Sequence, residues 1–127
     1  TIALLDEPAV IMNKFKRAMT DSDNQVRFGE DKPGISNLLG IYCAVTGITL
    51  EAAEREFANM GYGTFKTTVG EAVVTSLEPI QKRVKELEAN KDYLDGIIKD
   101  GAQKAGRIAE KTLTKVQKKV GFPVRIR

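Results

Sequence analysis

The side chains with the clearest chemical potential in this 127-residue sequence are its cations, and they are unevenly placed. From Lys99 to Arg127 there are nine Lys and Arg against two Asp and Glu, an excess of seven positive charges. The net charge of the whole is +3, so the remainder carries a net −4. A basic end on an acidic remainder suits an anionic partner at that end. Within it, Lys104, Arg107, Lys111, Lys115 and Lys118 are spaced three, four, four and three. At about 100° per residue on a helix they form one stripe roughly 80° wide. Such a line of cations can follow a phosphate backbone, and the Arg107 guanidinium can grip a phosphate with two hydrogen bonds. The competing reading, a solvated face that keeps the protein in solution, stands evenly with it. A second basic set, Lys14, Lys16, Arg17, Arg27 and Lys32, surrounds a long loop. Tyr62, Phe28 and Tyr93 are the aromatic residues that could stack on unpaired bases, although each could equally be a packing residue.

Catalysis has little to build on. With no His and one Cys, no Ser–His or Cys–His pair can form, and neither can a His/Cys metal site or an internal disulfide. Cys43 lies in an apolar stretch and reads as a small core residue rather than a reactive thiol. Asp21, Ser22 and Asp23 could offer oxygens to a divalent ion, but the Gly and Glu of a calcium loop are absent at the required offsets, so a turn is expected. Gly61-Tyr62-Gly63 lies between two helices with no preceding strand and does not read as a phosphate cradle. No catalytic, cofactor-binding or metal-binding residue is therefore assigned. No apolar run approaches the roughly 20 residues of a membrane helix, and the N-terminus has no signal-peptide pattern. No membrane partner is expected, and a reducing, cytoplasmic compartment is.

The elements that must position these groups read as helices. The first is expected from about Glu7 to Met19, capped by Asp6, with Pro8 in its first turn and Ile11, Phe15, Ala18 and Met19 inward. Thr20 to Gly34 is rich in turn formers and reads as a loop. A second helix runs from about Ser36 to Thr46 and is apolar on most sides, hence central, with Gly47 as its stop. Thr49 caps a short third helix that buries Leu50, Ala53, Phe57 and Met60 and ends by Gly61. Thr64 caps a long fourth, to about Ala89, with Phe65, Val69, Val73, Leu77, Ile80, Val84 and Leu87 in one stripe. Pro79 should kink it rather than split it, because the stripe keeps its phase. The fifth runs from about Asp92 to Val120 and stops at Gly121. Leu94, Ile98, Ala102, Ala105, Ile108, Ala109, Thr112, Val116 and Val120 are its expected inner face, about 130° around from the basic stripe. Gly96, Gly101 and Gly106 weaken it, or permit close packing. The tail Phe122 to Arg127 reads as short, basic and partly disordered. Five helices without a strand predict an all-α bundle over 1–127, with a long kinked fourth helix and a long C-terminal helix.

Six short stretches add a resemblance. They are Leu4-Leu5-Asp6; Thr20-Asp21-Ser22; Lys32-Pro33-Gly34-Ile35-Ser36-Asn37-Leu38-Leu39; Gly61-Tyr62-Gly63-Thr64-Phe65-Lys66; Glu78-Pro79-Ile80-Gln81; and Gly101-Ala102-Gln103-Lys104-Ala105. Each alone is weak. Together and in this order they resemble the C-terminal helical domain of bacterial tryptophanyl-tRNA synthetases, which are class I aminoacyl-tRNA synthetases, over nearly the whole chain. The resemblance implies a parent enzyme that uses ATP with magnesium to activate tryptophan and charge its tRNA, and that is a homodimer. It implies that the catalytic nucleotide-binding domain is missing from this chain, which alone should be inactive. It implies a part that engages the tRNA anticodon and moves against its own catalytic domain, the last helix packing back toward that domain. The anticodon contacts of the family do not reduce to a motif that can be placed here. The tRNA-binding candidates Lys104, Arg107, Lys111, Lys115, Lys14, Arg17, Arg27 and Lys32 therefore rest on charge and spacing alone.

Two rival readings stand beside this one. A free-standing helical interaction module without RNA binding would fit a gene starting near Thr1. The opening Thr1-Ile2-Ala3, without Met and in mid-pattern, points away from that. A tyrosyl-specific relative is the other, and the Lys32–Leu39 and Gly61–Lys66 stretches favour tryptophan.

Overall fold

Apolar residues at three- and four-residue spacing, punctuated by Gly, Pro and Asx residues, produce five helices in the computed structural model. They are α1 (Pro8–Lys16), α2 (Pro33–Thr46), α3 (Leu50–Phe57), α4 (Tyr62–Ala89) and α5 (Lys91–Val120). Residues 1–123 are described, and no strand occurs among them, as the all-α expectation required. The last four residues of the tail, 124–127, lie outside the described residues. The chain divides into two compact units, Thr1–Arg83 and Val84–Arg127.

The first unit holds the core. Ile11 and Phe15 from α1 meet Ile35, Leu38, Leu39 and Tyr42 from α2, Ala53 and Phe57 from α3, and Phe65, Val69 and Val73 from α4. Tyr42, Phe57 and Phe65 form an edge-to-face chain, with ring centroids 4.9 and 4.8 Å apart. That geometry sets a positive ring edge against a negative ring face. α2 contributes more buried side chains than α1 or α3, in keeping with its expected central place. Gly47, at φ 77°, stops α2 in the left-handed conformation that suits glycine, and its N–H bonds the Cys43 carbonyl. The chain then turns through 113° into α3, whose Thr49 hydroxyl accepts the Ala52 N–H as expected. Where α1 crosses α4 the contact is at Gly70: a Cβ there would lie 2.9 Å from the Met12 sulfur. Cys43 is partly buried against the core.

Several boundaries differ from the sequence expectation. α1 ends at Lys16, so Met19 is 90 % exposed rather than inward. Asp6 does not cap α1; its carboxylate takes the Ala3 N–H and the Lys14 ammonium instead. α2 begins at Pro33, where a missing N–H costs nothing, and Ser36 turns to the loop. α3 ends at Phe57, ahead of Met60 and Gly61. α4 begins at Tyr62, ahead of Thr64, because the Tyr62 N–H finds a carboxamide from Asn24, 38 residues earlier. α4 continues unbroken through Pro79.

The second unit contains the end of α4 and α5. Asn90 caps α5 by accepting the Tyr93 N–H, and Gly121 closes it at φ 77°. Here the expected inner face of α5 is corrected. No α5 residue is buried, and Ile98, Ile108 and Val120 are 67, 70 and 59 % exposed. A Cβ built at Gly96, Gly101 or Gly106 meets nothing within 4 Å, so these glycines do not serve close packing. Periodicity identified the helix correctly, but periodicity does not supply a partner for its apolar face.

Among the described residues, no single helix is long and apolar enough to cross a membrane.

Candidate nucleic-acid interface

α5 carries the basic stripe as expected. Lys104, Arg107, Lys111, Lys115 and Lys118 are all exposed on one long helix. Lys104 contacts Asp100 one turn earlier at 2.7 Å, with both side chains well exposed. Such a surface pair is weak and can exchange its carboxylate for a phosphate oxygen. Lys118 and Lys119 sit in the last turn, where cations complement the helix dipole. The stripe is thus a run of exposed cations along one helix, suited to polyanion contact.

In the second basic set, Lys14, Arg27 and Lys32 are each tied to a carboxylate. Lys14 is held by Asp6 at 2.5 Å, and that hydrogen bond, first among the causes, keeps the Asp6 carboxyl below its usual range. Arg17 is exposed just past the end of α1. Arg27 forks onto Asp31, one of its two contacts being 3.0 Å, which raises the guanidinium and lowers the carboxyl. Lys32 departs furthest from its expected place. It is 1 % exposed and its ammonium points inward, so it is not a surface phosphate contact. Tyr62, suggested as an exposed platform, is 9 % exposed; Phe28 and Tyr93 are half exposed.

Lys32 and Tyr62 belong instead to a polar knot under the loop. The Lys32 ammonium donates to Asp21 at 3.0 Å, to Asp23, and to the Tyr62 hydroxyl oxygen at 2.9 Å. The single Tyr62 hydroxyl proton goes to Asp21 Oδ1 at 2.5 Å, with Asp23 Oδ1 and the Gln25 carbonyl oxygen at 2.8 and 3.1 Å. Asp21 and Asp23 also take the N–H groups two residues on, the Asx turns that bend the loop. Asn24 stands at φ 56°, a left-handed conformation Asn tolerates, and so reaches the start of α4. The electrostatics follow. The Tyr62 hydrogen bond first, with Lys32, holds Asp21 well below the usual carboxylate range; Lys32 chiefly does the same for Asp23. Burial, then the Asp21 contact, pushes the Tyr62 hydroxyl up to about 12. Burial alone would lower Lys32, but its bonds to Asp23, Tyr62 and Asp21 outweigh that and raise it. Among the described residues, no group of three or more His, Cys, Asp or Glu side chains is placed to hold a metal ion.

Comparison with known proteins finds relatives that share one name. Over 121 residues, 95 % of the chain, it is 44 % identical to a tryptophan–tRNA ligase of Clostridium tetani and 48 % identical to one of Wolinella succinogenes. Over 127 residues it is 46 % identical to a tryptophan–tRNA ligase of Enterococcus faecalis. The chain is homologous to bacterial tryptophan–tRNA ligases. It spans 36 to 38 % of the length of these relatives. No family model matches it.

The homology gives the knot a further meaning. Three of the six stretches that resemble the tryptophan–tRNA ligases meet there, through Asp21, Lys32 and Tyr62. Two others meet at the N-terminus, where the Gln81 amide donates to the Leu4 and Asp6 carbonyls at 2.9 and 3.0 Å. Lys66 also reaches the Ala18 carbonyl at 2.7 Å. Five of the resembling stretches thus supply polar contacts within the first unit, and two of these also supply the core residues Ile35, Leu38, Leu39 and Phe65. Sequence reading missed Asn24, Ser36, Glu54 and Gln81 as partners. The run of turn formers at 21–24 was the available signal, and it did not say to what the turns were tied.

Proposed function

We propose that the chain is the C-terminal, tRNA-engaging part of a tryptophan–tRNA ligase. The observation that carries this reading is homology along 95 % of the chain to about a third of proteins bearing that name. On this reading the whole protein uses ATP with magnesium to activate tryptophan and then charges its tRNA, in the cytoplasm and as a homodimer. The catalytic residues belong to the remaining two-thirds, and this chain alone does not turn over substrate. Its own residues do not suit the ATP–magnesium site, so no chemical step is assigned to them.

The role of this part is to bind polyanion along α5 through Lys104, Arg107, Lys111 and Lys115, with Lys14, Arg17 and Arg27 as lesser candidates. The exposed stripe, the local excess of charge and the lack of a catalytic constellation support it. Lys32 positions the loop rather than touching RNA. A second reading has support in the exposed apolar residues Ile98, Ile108 and Val120: α5 contacts the catalytic part of its own protein. Titration of the chain with tRNA for tryptophan separates the two. Arg107→Ala and Lys111→Ala should each weaken affinity by about 1 kcal/mol if they touch phosphate. Unchanged affinity in both would assign the stripe to the protein contact.

A further inference from the structure

Of the five phenylalanines, Phe15, Phe57 and Phe65 lie in the core, and Phe122 belongs to the tail. Phe28 is 53 % exposed, although its own N–H and the next residue are hydrogen-bonded. Its N–H donates to Glu54 of α3 at 2.6 Å. The next residue, Gly29, exchanges two hydrogen bonds with the Ser36 hydroxyl, at 3.0 and 2.9 Å, and takes the Lys32 N–H at 3.1 Å. Two residues earlier Val26 is buried, and the Gln25 carbonyl oxygen lies 3.1 Å from the Tyr62 hydroxyl. The loop is therefore ordered before any partner arrives, and an aromatic side chain with two rotatable bonds loses little freedom when it is covered.

The surroundings select the partner. Gln25, Arg27, Glu30 and Asp31 flank the ring in sequence, so the local segment offers no contiguous apolar patch of the kind a protein interface buries. An isolated π-face in polar surroundings suits an unpaired base, which stacks with its polar edges still in water. Beside the ring, Glu54 and the Arg27-paired Asp31 carry carboxylates that can accept from the amino groups of a base. We propose that Phe28 is a stacking platform for an unpaired RNA base, held out by the loop that the Lys32–Tyr62 knot fixes. This rests on the tRNA-engaging reading and adds a base contact to a phosphate-binding helix.

The test titrates the full chain and its variants with tRNA for tryptophan, and with versions lacking one base at a time in the unpaired loops. Phe28→Ala should weaken binding about fivefold to a hundredfold, the range of one stacked base, while Phe28→Tyr stays within about twofold. The Phe28→Ala ratio should hold as salt rises, and it should vanish on the one tRNA that lacks the stacked base. Wild-type binding that Arg107→Ala weakens and Phe28→Ala leaves unchanged overturns the platform and leaves the tRNA reading standing. A Phe28→Ala loss equal on every base-deleted tRNA also overturns it. No binding by the wild-type chain at low salt removes both.

Discussion

Lys32 shows what one buried cation does in this chain. It neutralises two loop carboxylates beside a tyrosine hydroxyl, and the loop takes its shape from them. The pH dependence follows by sign. Asp21 and Asp23 are depressed from 3.8, so their contribution is complete above that value and is lost as pH falls below it. Tyr62 is raised from 10.0 to about 12, so its contribution is complete below 10 and is lost as pH climbs to 12. Lys32 is raised from 10.5 and acts in the same alkaline direction. Urea midpoints measured against pH should show a plateau from about pH 5 to 9 with a fall on both sides. Tyr62→Phe should lower the plateau by about 1 kcal/mol and shrink the alkaline fall; an unaltered profile would mean that the knot carries no stability. Gly34 is the other sensitive residue. A Cβ there would lie 2.3 Å from the Met19 carbonyl oxygen, a backbone atom that cannot swing aside. Gly34→Ala should cost about 1–3 kcal/mol in urea denaturation.

Helices were legible because their signals are local. The stops at Gly47 and Gly121 and the cap at Thr49 fell where expected, since each acts on residues within one turn. Starts were less legible. α4 begins two residues before its expected cap because Asn24 binds the Tyr62 N–H from another part of the chain. Asn24→Ala should therefore destabilise by about 1–2 kcal/mol, from the lost cap and the strained left-handed φ together. Asn24→Gly restores the backbone freedom and should cost about half as much. Equal losses in thermal melts would mean that φ plays no part. The site divided along the same line. The stripe on α5 was legible because it follows from helix geometry and exposure alone, whereas the second basic set was not. Lys14, Arg27 and Lys32 each hold a carboxylate, and Asp21 and Asp23 reach Lys32 by the folding of the loop.

Charge separation is a property of the whole molecule: an acidic first stretch precedes a basic C-terminal one. Binding of tRNA should consequently weaken as salt rises, because each phosphate neutralised releases counterions. Arg107→Ala should flatten the logarithmic salt slope by about one, and Phe28→Ala should leave it unaltered. A slope equal in wild type and Arg107→Ala would remove Arg107 from the phosphate contacts. The core belongs wholly to the first unit, and the apolar face of α5 stays open. By itself, the sequence determined the helical class, the helix phases, the basic stripe and the resemblance to tryptophan–tRNA ligases, all of which depend on residues close together in the chain. Only the tertiary structure decided which cations face water, which polar residues tie the loop to α4, and that α5 leaves its apolar stripe exposed. The reason is physical. Periodicity shows which side of a helix is apolar, but burial and ion pairing depend on what lies opposite. For Lys32 that is a tyrosine 30 residues away and two aspartates from a loop that folding bends back over it.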